Sequence, residues 1–404
     1  MDTQNFNNST ATVDNNTSLN SNHLVLENVN RKKPISDIFI SDVVFEDAKI
    51  FYPSKMNENQ NNQVVNSEPE TKNIVQAFYL DNNLDSQVPI EHISNDIDYV
   101  PSPFIIANTI EVPLQHLKND CIIPVFSKDN EKTIAHQEFI DVVLTAIQSA
   151  FPNQSISAPE IRVSHQIKGR TPDAIHLNVK DLLEYQKTIY YERMAFIIKI
   201  PSIKDVINGN ELSLTVGGVR SYNLENLYNK KSFEKFKFFI GFQNKVCCNL
   251  CISTDGFLEE MRVASTEELY NKVLKTMQNY NAELHLMEMK ELTYDFLSDH
   301  QFAQLIGRSR LYQHLPKSER QVIPALNFND SHINTIAKDY YEDKNFCRIE
   351  DGSINLWNVY NLFTQANKSS YIDTFLDRNL NAFEFSKGLQ KTLSGNENYH
   401  WFLS

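Results

Sequence analysis

The sequence predicts an α+β fold: a β-rich middle of antiparallel or mixed hairpins followed by an α-helical C-terminal half. Three observations predict it. Between residues 160 and 254 apolar side chains recur mostly at every second position, the period of a strand. After Asp255-Gly256 the period becomes 3.6 and helix-capping signatures appear. The strands and helices come in separate blocks, and repeated βαβ units need the two to alternate.

The first 33 residues contain nine Asn in their first 30 and few large apolar groups. Such a stretch cannot bury enough surface to offset its ordering entropy, so residues 1–33 are expected to be a disordered tail. Residues 34–74 read as a short docked segment, Ile38 to Phe45, followed by the polar linker 54–73. The β-rich part is expected over 75–260 and the helical part over 261–404, with 75–404 able to form one composite domain. Strands are expected at 105–114 and 120–126, and a helix over 133–150 whose apolar stripe includes Ile134, Phe139, Val143 and Ile147. Alternation of Ile161, Val163, His165 and Ile167 predicts a strand over 160–167. Segments 188–200 and 211–219 flank Asn208-Gly209-Asn210, the strongest hairpin signal in the chain. A second hairpin is expected from 236–242 and 246–254 around Gln243-Asn244-Lys245. Ser265 with Glu268 and Ser298 with Gln301 read as capping boxes, and further helices fit 331–341, 354–366 and 381–393.

The chain has 404 residues and a formal net charge of −13, distributed unevenly. Residues 1–100 hold six Lys/Arg against fifteen Asp/Glu, a balance of −9, whereas residues 161–250 hold fourteen against eight, a balance of +6. The acidic total excludes a protein that coats duplex DNA over its whole surface but leaves room for a local basic face. All ten glycines lie at or after Gly169, which excludes a Gly-rich phosphate loop from the first 168 residues. No run of 18 apolar residues predicts a membrane span, and the amino terminus lacks the basic and apolar regions of a secretory signal. Five cysteines, an odd number in a long chain, read as reduced thiols of a cytoplasmic protein.

Few motifs carry chemistry. Cys248 and Cys251 form a C-x-x-C with no second pair or His pair to complete a zinc site, so neither metal nor cofactor is expected. Gly217-Gly218 lacks the rest of a dinucleotide fingerprint and reads as a bulge or tight corner. His165 and His176 flank the polar segment Lys168 to Asp173, where acid–base work by a His with Asp173 competes with a strand histidine and a turn cap.

The positive signal is an interleaving of cations and aromatics. Arg162, Lys168 and Arg170 precede Tyr190, Tyr191 and Arg193; Lys230, Lys231, Lys235, Lys237 and Lys245 surround Phe236, Phe238 and Phe239. Such a pattern on strands can hold phosphates and stack unpaired bases. It can equally be a core of alternating Phe beneath a solvated Lys face. Arg308 and Arg310 could extend the surface. Lys368, Ser369 and Ser370 form a candidate anion loop, competing with an ordinary cap of Ser370 and Asp373.

Long strings at 161–174, 190–196, 212–228, 238–256, 301–316 and 354–378 resemble an uncharacterised bacterial family, a domain of unknown function. The resemblance implies association with mobile elements, both conjugative elements and prophages. Asn244 to Asn249 is more distantly similar to a segment of a phage/plasmid-like family. Neither likeness brings a reaction or catalytic residues.

The leading expectation is therefore a non-enzymatic protein that contacts single-stranded DNA or RNA through its basic, aromatic β-rich middle. The alternatives are an interaction or inhibitor protein engaging a host factor through the acidic front, and an enzyme built on the 164–173 loop.

Overall fold

The computed structural model describes residues 103–123, 133–174, 176–222 and 233–404. The tail, the 34–74 segment, Lys230, Lys231 and the end of the 120–126 run fall outside them. All described residues belong to one compact unit.

In chain order, β1 (Ile110–Glu111) is followed by α1 (Leu114–Asn119), α2 (His136–Ala150) and β2 (Glu160–Val163). Then come β3 (Gln166–Arg170), β4 (Lys187–Tyr191), β5 (Arg193–Ile207), β6 (Asn210–Ser221), β7 (Glu234–Asn244), β8 (Leu250–Cys251) and β9 (Phe257–Val263). Among the described residues seven of these make one antiparallel sheet, ordered β1-β2-β5-β6-β7-β8 with β9 also on β7. The strand-rich middle is thus followed by helices: α3 (Thr266–Asn279), α4 (Ala282–Glu291), α5 (Asp299–Tyr312), α6 (Lys317–Arg320), α7 (Asp330–Glu342), α8 (Leu356–Asn367) and α9 (Ile372–Leu393). Two short strands, β10 (Phe296–Leu297) and β11 (Ile354–Asn355), pair within this half.

Helices cover both faces of the sheet. On one face Phe196, Ile198, Val216, Phe236, Phe238 and Ile240 pack against Phe139 and Val143 of α2 and Leu269, Val273 and Met277 of α3. On the other, Ala195, Ile197, Val219 and Phe239 meet Ile372, Phe375 and Leu376 of α9. Helix α8 is buried on nearly every side, as expected of a helix apolar all round. One core cluster runs from the sheet through α5, α7 and α8, joining the two halves.

The Asn208-Gly209 turn forms as expected. Ile207 pairs with Asn210, and both turn residues have positive φ (48° and 76°), as the two-residue turn favoured by right-twisted strands requires. Both boxes hold at their Ser end, with Ser265 and Ser298 accepting from the backbone N–H of Glu268 and Gln301. Gln301 completes its box by accepting from Ser298 N–H, while Glu268 instead accepts from Ala264 N–H.

Several local expectations are corrected. The 105–114 run pairs only at Ile110–Glu111, because Ile106 and Ala107 donate their N–H groups to Lys368 O and Asn108 turns left-handed. Residues 160–167 and 188–200 are each cut in two, at Ser164–His165 and at Glu192. Beyond that break β3 and β4 pair with each other as a separate ribbon. Asp373 does not cap with Ser370; Tyr371 holds the N-cap position of α9 without a side-chain bond. Gly217-Gly218 is neither a bulge nor a corner. Both residues sit in unbroken register between β5 and β7. A Cβ on Gly218 would lie 2.6 Å from the Phe139 ring and 2.7 Å from Lys237 O, so the glycine lets α2 approach the sheet. Gly218→Ala is expected to lower stability by about 1–3 kcal/mol through overpacking, measured by urea denaturation.

Candidate nucleic-acid interface

Among the described residues, helix α9 leaves one corner of its sheet face uncovered, at the ends of β6, β7 and β9. Alternation along β7 builds the corner. Glu234, Phe236 and Phe238 are buried, so Lys235 and Lys237 point the other way, with Phe233 one step before them. Phe233 is 55% exposed. Arg262 of β9 stands opposite Lys235, and Val219 of β6 opposite Lys237. A pocket of about 270 Å³ opens here, lined by Val219, Ser221, Lys235, Lys237 and the Glu259-Glu260 pair.

The cations of this corner are matched by carboxylates. Lys235 lies 2.6 Å from Glu260 and Arg262 2.9 Å from the same oxygen, contacts that hold the Glu260 carboxyl below its ordinary range. Deeper in, Lys237 bonds Asp377 and donates to Asp373 O at 2.9 Å, while Arg193 pairs with Asp373 at 2.7 Å. Ser221 donates to the same Asp373 carboxylate. Arg193 and Lys237 thus fasten the start of α9 to the sheet. Lys235 and Arg262 remain on the rim.

The remaining predicted residues are dispersed. Arg162 is on the same sheet face but bonds Thr109 and pairs with Glu111 at 3.4 Å, fixing β1 to β2. Lys168, Arg170, Tyr190 and Tyr191 belong to the β3–β4 ribbon. Tyr191 is buried, its hydroxyl 3.0 Å from His116 Nε2, so its ring offers no stacking face. Phe236, Phe238 and Phe239 are core residues, each about 1% exposed or less. Lys245 is exposed at the β7–β8 turn, 3.5 Å from Glu211. Arg308 lies over Trp401 and bonds Ser404 O, and Arg310 pairs with Asp330 through two nitrogens.

The 368–370 loop is built as an interior junction. Lys368 is 1% exposed, donates from Nζ to Cys247 O, and is lowered in pKa by burial. Ser369 donates to Ala366 O, and Ser370 donates to Asn367 Oδ1. Cys248 sits in the turn with positive φ and Cys251 in β8, and burial raises both thiols, which lowers their reactivity. His165 lies at one end of β3, with Asp173 and His176 beyond the other, so a strand of five residues separates the proposed acid–base groups. Among the described residues no group of three or more His, Cys, Asp or Glu could hold a metal, and no helix is long and apolar enough to cross a membrane.

Sequence reasoning missed Phe233, Arg262 and Glu260. The run Phe233-Glu234-Lys235-Phe236-Lys237 carries the signal for the first, since burial of Glu234 reverses which phenylalanine faces outward. Arg262 and Glu260 required the β7–β9 register.

A family model described as "Domain of unknown function, B. Theta Gene description (DUF3871)" matches residues 71–403. No curated protein and no solved structure matches the chain.

Proposed function

The chain belongs to this family of unknown function, and from that premise we propose that it is a non-enzymatic binding protein contacting single-stranded nucleic acid at the open β7–β9 corner. We place it in the bacterial cytoplasm, in the service of a conjugative element or prophage; the sequence resemblance is what supports that setting. The observation that carries the binding reading is the row Phe233, Lys235, Lys237 with Arg262 opposite Lys235: an exposed aromatic and two rim cations on the strands whose Lys235 and Lys237 line a pocket. Exposed ion pairs contribute little to stability, so a phosphate can take the place of Glu260 beside Lys235 and Arg262 cheaply. Stacking of an unpaired base on Phe233 adds sequence-tolerant affinity.

Fluorescence anisotropy with single-stranded oligonucleotides tests this. Binding is expected to weaken steeply with salt, and Lys235→Ala or Arg262→Ala to reduce the salt slope by about one each. Phe233→Ala is expected to weaken binding about tenfold at constant salt slope. Glu260→Gln is expected to tighten it about two- to fivefold, because the competing carboxylate is gone. Folded protein that fails to bind at low salt would sink the reading.

A second reading, engagement of a host protein, rests on the −9 balance of residues 1–100. Partners recovered from host lysate after nuclease treatment would favour it.

A further inference from the structure

We propose that Glu259 makes the open β7–β9 corner selective for guanine, an inference that rests on the single-strand reading above. A β-bulge puts the residue there. Phe236 pairs with Met261 and Phe238 with Leu258, so two residues of β9, Glu259 and Glu260, stand opposite the single Lys237 of β7. An extra residue of this kind interrupts the alternation of a strand and re-aims a side chain. In a regular strand, neighbouring glutamates point to opposite faces of the sheet. Here both line the same pocket as Lys235 and Lys237.

The two carboxylates are not equivalent. Glu260 is engaged by Lys235 and Arg262. Lys237 is taken by Asp377 and Asp373 O, and Ser221 by the Asp373 carboxylate. Among the described residues the Glu259 carboxylate has no ion-pair or hydrogen-bond partner.

That spare carboxylate selects the occupant. A pocket of about 270 Å³ is smaller than the about 300–1,000 Å³ of drug-sized sites, so it takes one compact group. An anion there is repelled by Glu259, and a cationic side chain is repelled by Lys235 and Arg262 at the rim. A neutral group rich in donors meets neither penalty, and Val219 offers its flat body an apolar contact. Among the nucleobases guanine fits best. Its Watson–Crick edge carries N1–H and a 2-amino N–H side by side, a fork that matches both oxygens of a carboxylate. Adenine and cytosine set an acceptor nitrogen beside their one amino group; thymine and uracil flank a single N–H with two carbonyls, which a carboxylate repels. An unpaired strand leaves that edge free to be read. The rim cations thus hold phosphate whatever the sequence, and Glu259 reads a base.

Fluorescence anisotropy at one low salt concentration tests it, with oligo-dT strands that carry dT, dA, dG or deoxyinosine at one central position. Deoxyinosine keeps N1–H and lacks the 2-amino group. The dG strand is expected to bind about tenfold tighter than the all-dT strand, with deoxyinosine between them. Glu259→Gln is expected to bind both but to bring dG and dT within about twofold of each other. Thermal melting checks that the variant is folded, and a merely structural role would move all four strands alike. Strands that bind the wild-type chain equally overturn the inference and leave the single-strand reading standing, as does a dG preference that survives in folded Glu259→Gln. Strands that do not bind at all overturn both. An arginine-rich peptide that binds more tightly than the dG strand, and is released by Glu259→Gln, assigns the pocket to a protein partner and overturns the inference as well.

Discussion

Glu234→Ala is expected to destabilise the fold by about 3–5 kcal/mol, enough to leave a marginal domain largely unfolded. Glu234 bonds Arg220, whose side chain has no exposure at all. The guanidinium carbon lies 4.2 Å from the Phe236 ring centroid and 4.9 Å from that of Tyr222, so aromatic faces shield it from water. Both carboxylate oxygens of Glu234 also accept from Ile134 N–H, at 3.1 and 3.0 Å, just before α2 begins. One carboxylate therefore compensates a buried cation and anchors the helix that packs on the sheet. Burial raises its pKa and Arg220 opposes that rise. Removing it takes a directly bonded carboxylate away from a buried guanidinium, where lost charge compensation is far more expensive than a missing ion pair on a surface. Replacing both members, as Arg220→Met with Glu234→Leu, is expected to be milder than Glu234→Ala alone. Urea denaturation of the three proteins decides the matter: a loss below about 1 kcal/mol for Glu234→Ala would show that the pair is not compensating.

This ion pair illustrates what the sequence made legible and what it hid. The β-rich middle, the Asn208-Gly209 hairpin and the helical second half follow from periodicity and turn chemistry, which are local. Arg220 and Glu234 lie fourteen residues apart, and only the β6–β7 pairing brings them together. The same limit applies to the candidate site. Lys235 and Lys237 were legible as cations on a strand, but their partners are distant in the chain: Glu260 on β9, Asp373 and Asp377 on α9. Interleaved Phe and Lys leave two possibilities open, a stacking platform or a core with a wet face. For Phe236, Phe238 and Phe239 the second holds, since α2 and α9 cover the sheet from both sides. Lys368 was legible as a loop cation; its burial depends on the β7–β8 turn folding against the end of α8. The ribbon was least legible, because alternation runs through its base and nothing in the period marks the break at Ser164 and Glu192.

Acid is expected to unfold this protein through histidines rather than through its surface carboxylates. Burial holds His136 and His285 neutral, with pKa pushed down to about 3, and His332 down to about 4. Each is built into the fold in its neutral form. His136 donates from Nε2 to Tyr191 O at 2.9 Å and stacks on Tyr222, with Arg220 nearby to disfavour a second positive charge. His285 is 2.7 Å from the Tyr280 hydroxyl and edged by the Phe242 and Phe383 rings; Asp255 and Lys387 act on it with opposite sign. His332 accepts from Asn329 N–H at Nδ1, closing the α7 capping box, so its Nε2 carries the proton 3.1 Å from Ser370 Oγ; Arg378 opposes its charging. When the chain unfolds, each regains an ordinary value near 6.5 and takes up a proton. The unfolded state thus binds more protons, and the stability contributed is fully present above about pH 6.5 and lost as pH falls towards 3–4. Each histidine contributes a slope of about 1.4 kcal/mol per pH unit in that window, up to about 4 kcal/mol per pH unit for the three together. Glu138, Asp141 and Glu160 work the other way, since burial raises their values and acid relieves that burden. The measured slope is therefore expected to be smaller than the histidine sum but of the same sign. Urea midpoints from about pH 7 to pH 4.5 should fall steadily, and His285→Phe should flatten the curve by about one histidine's share. A midpoint that holds level or rises as pH drops from 6.5 to 5 would mean that these rings are not neutral in the folded state.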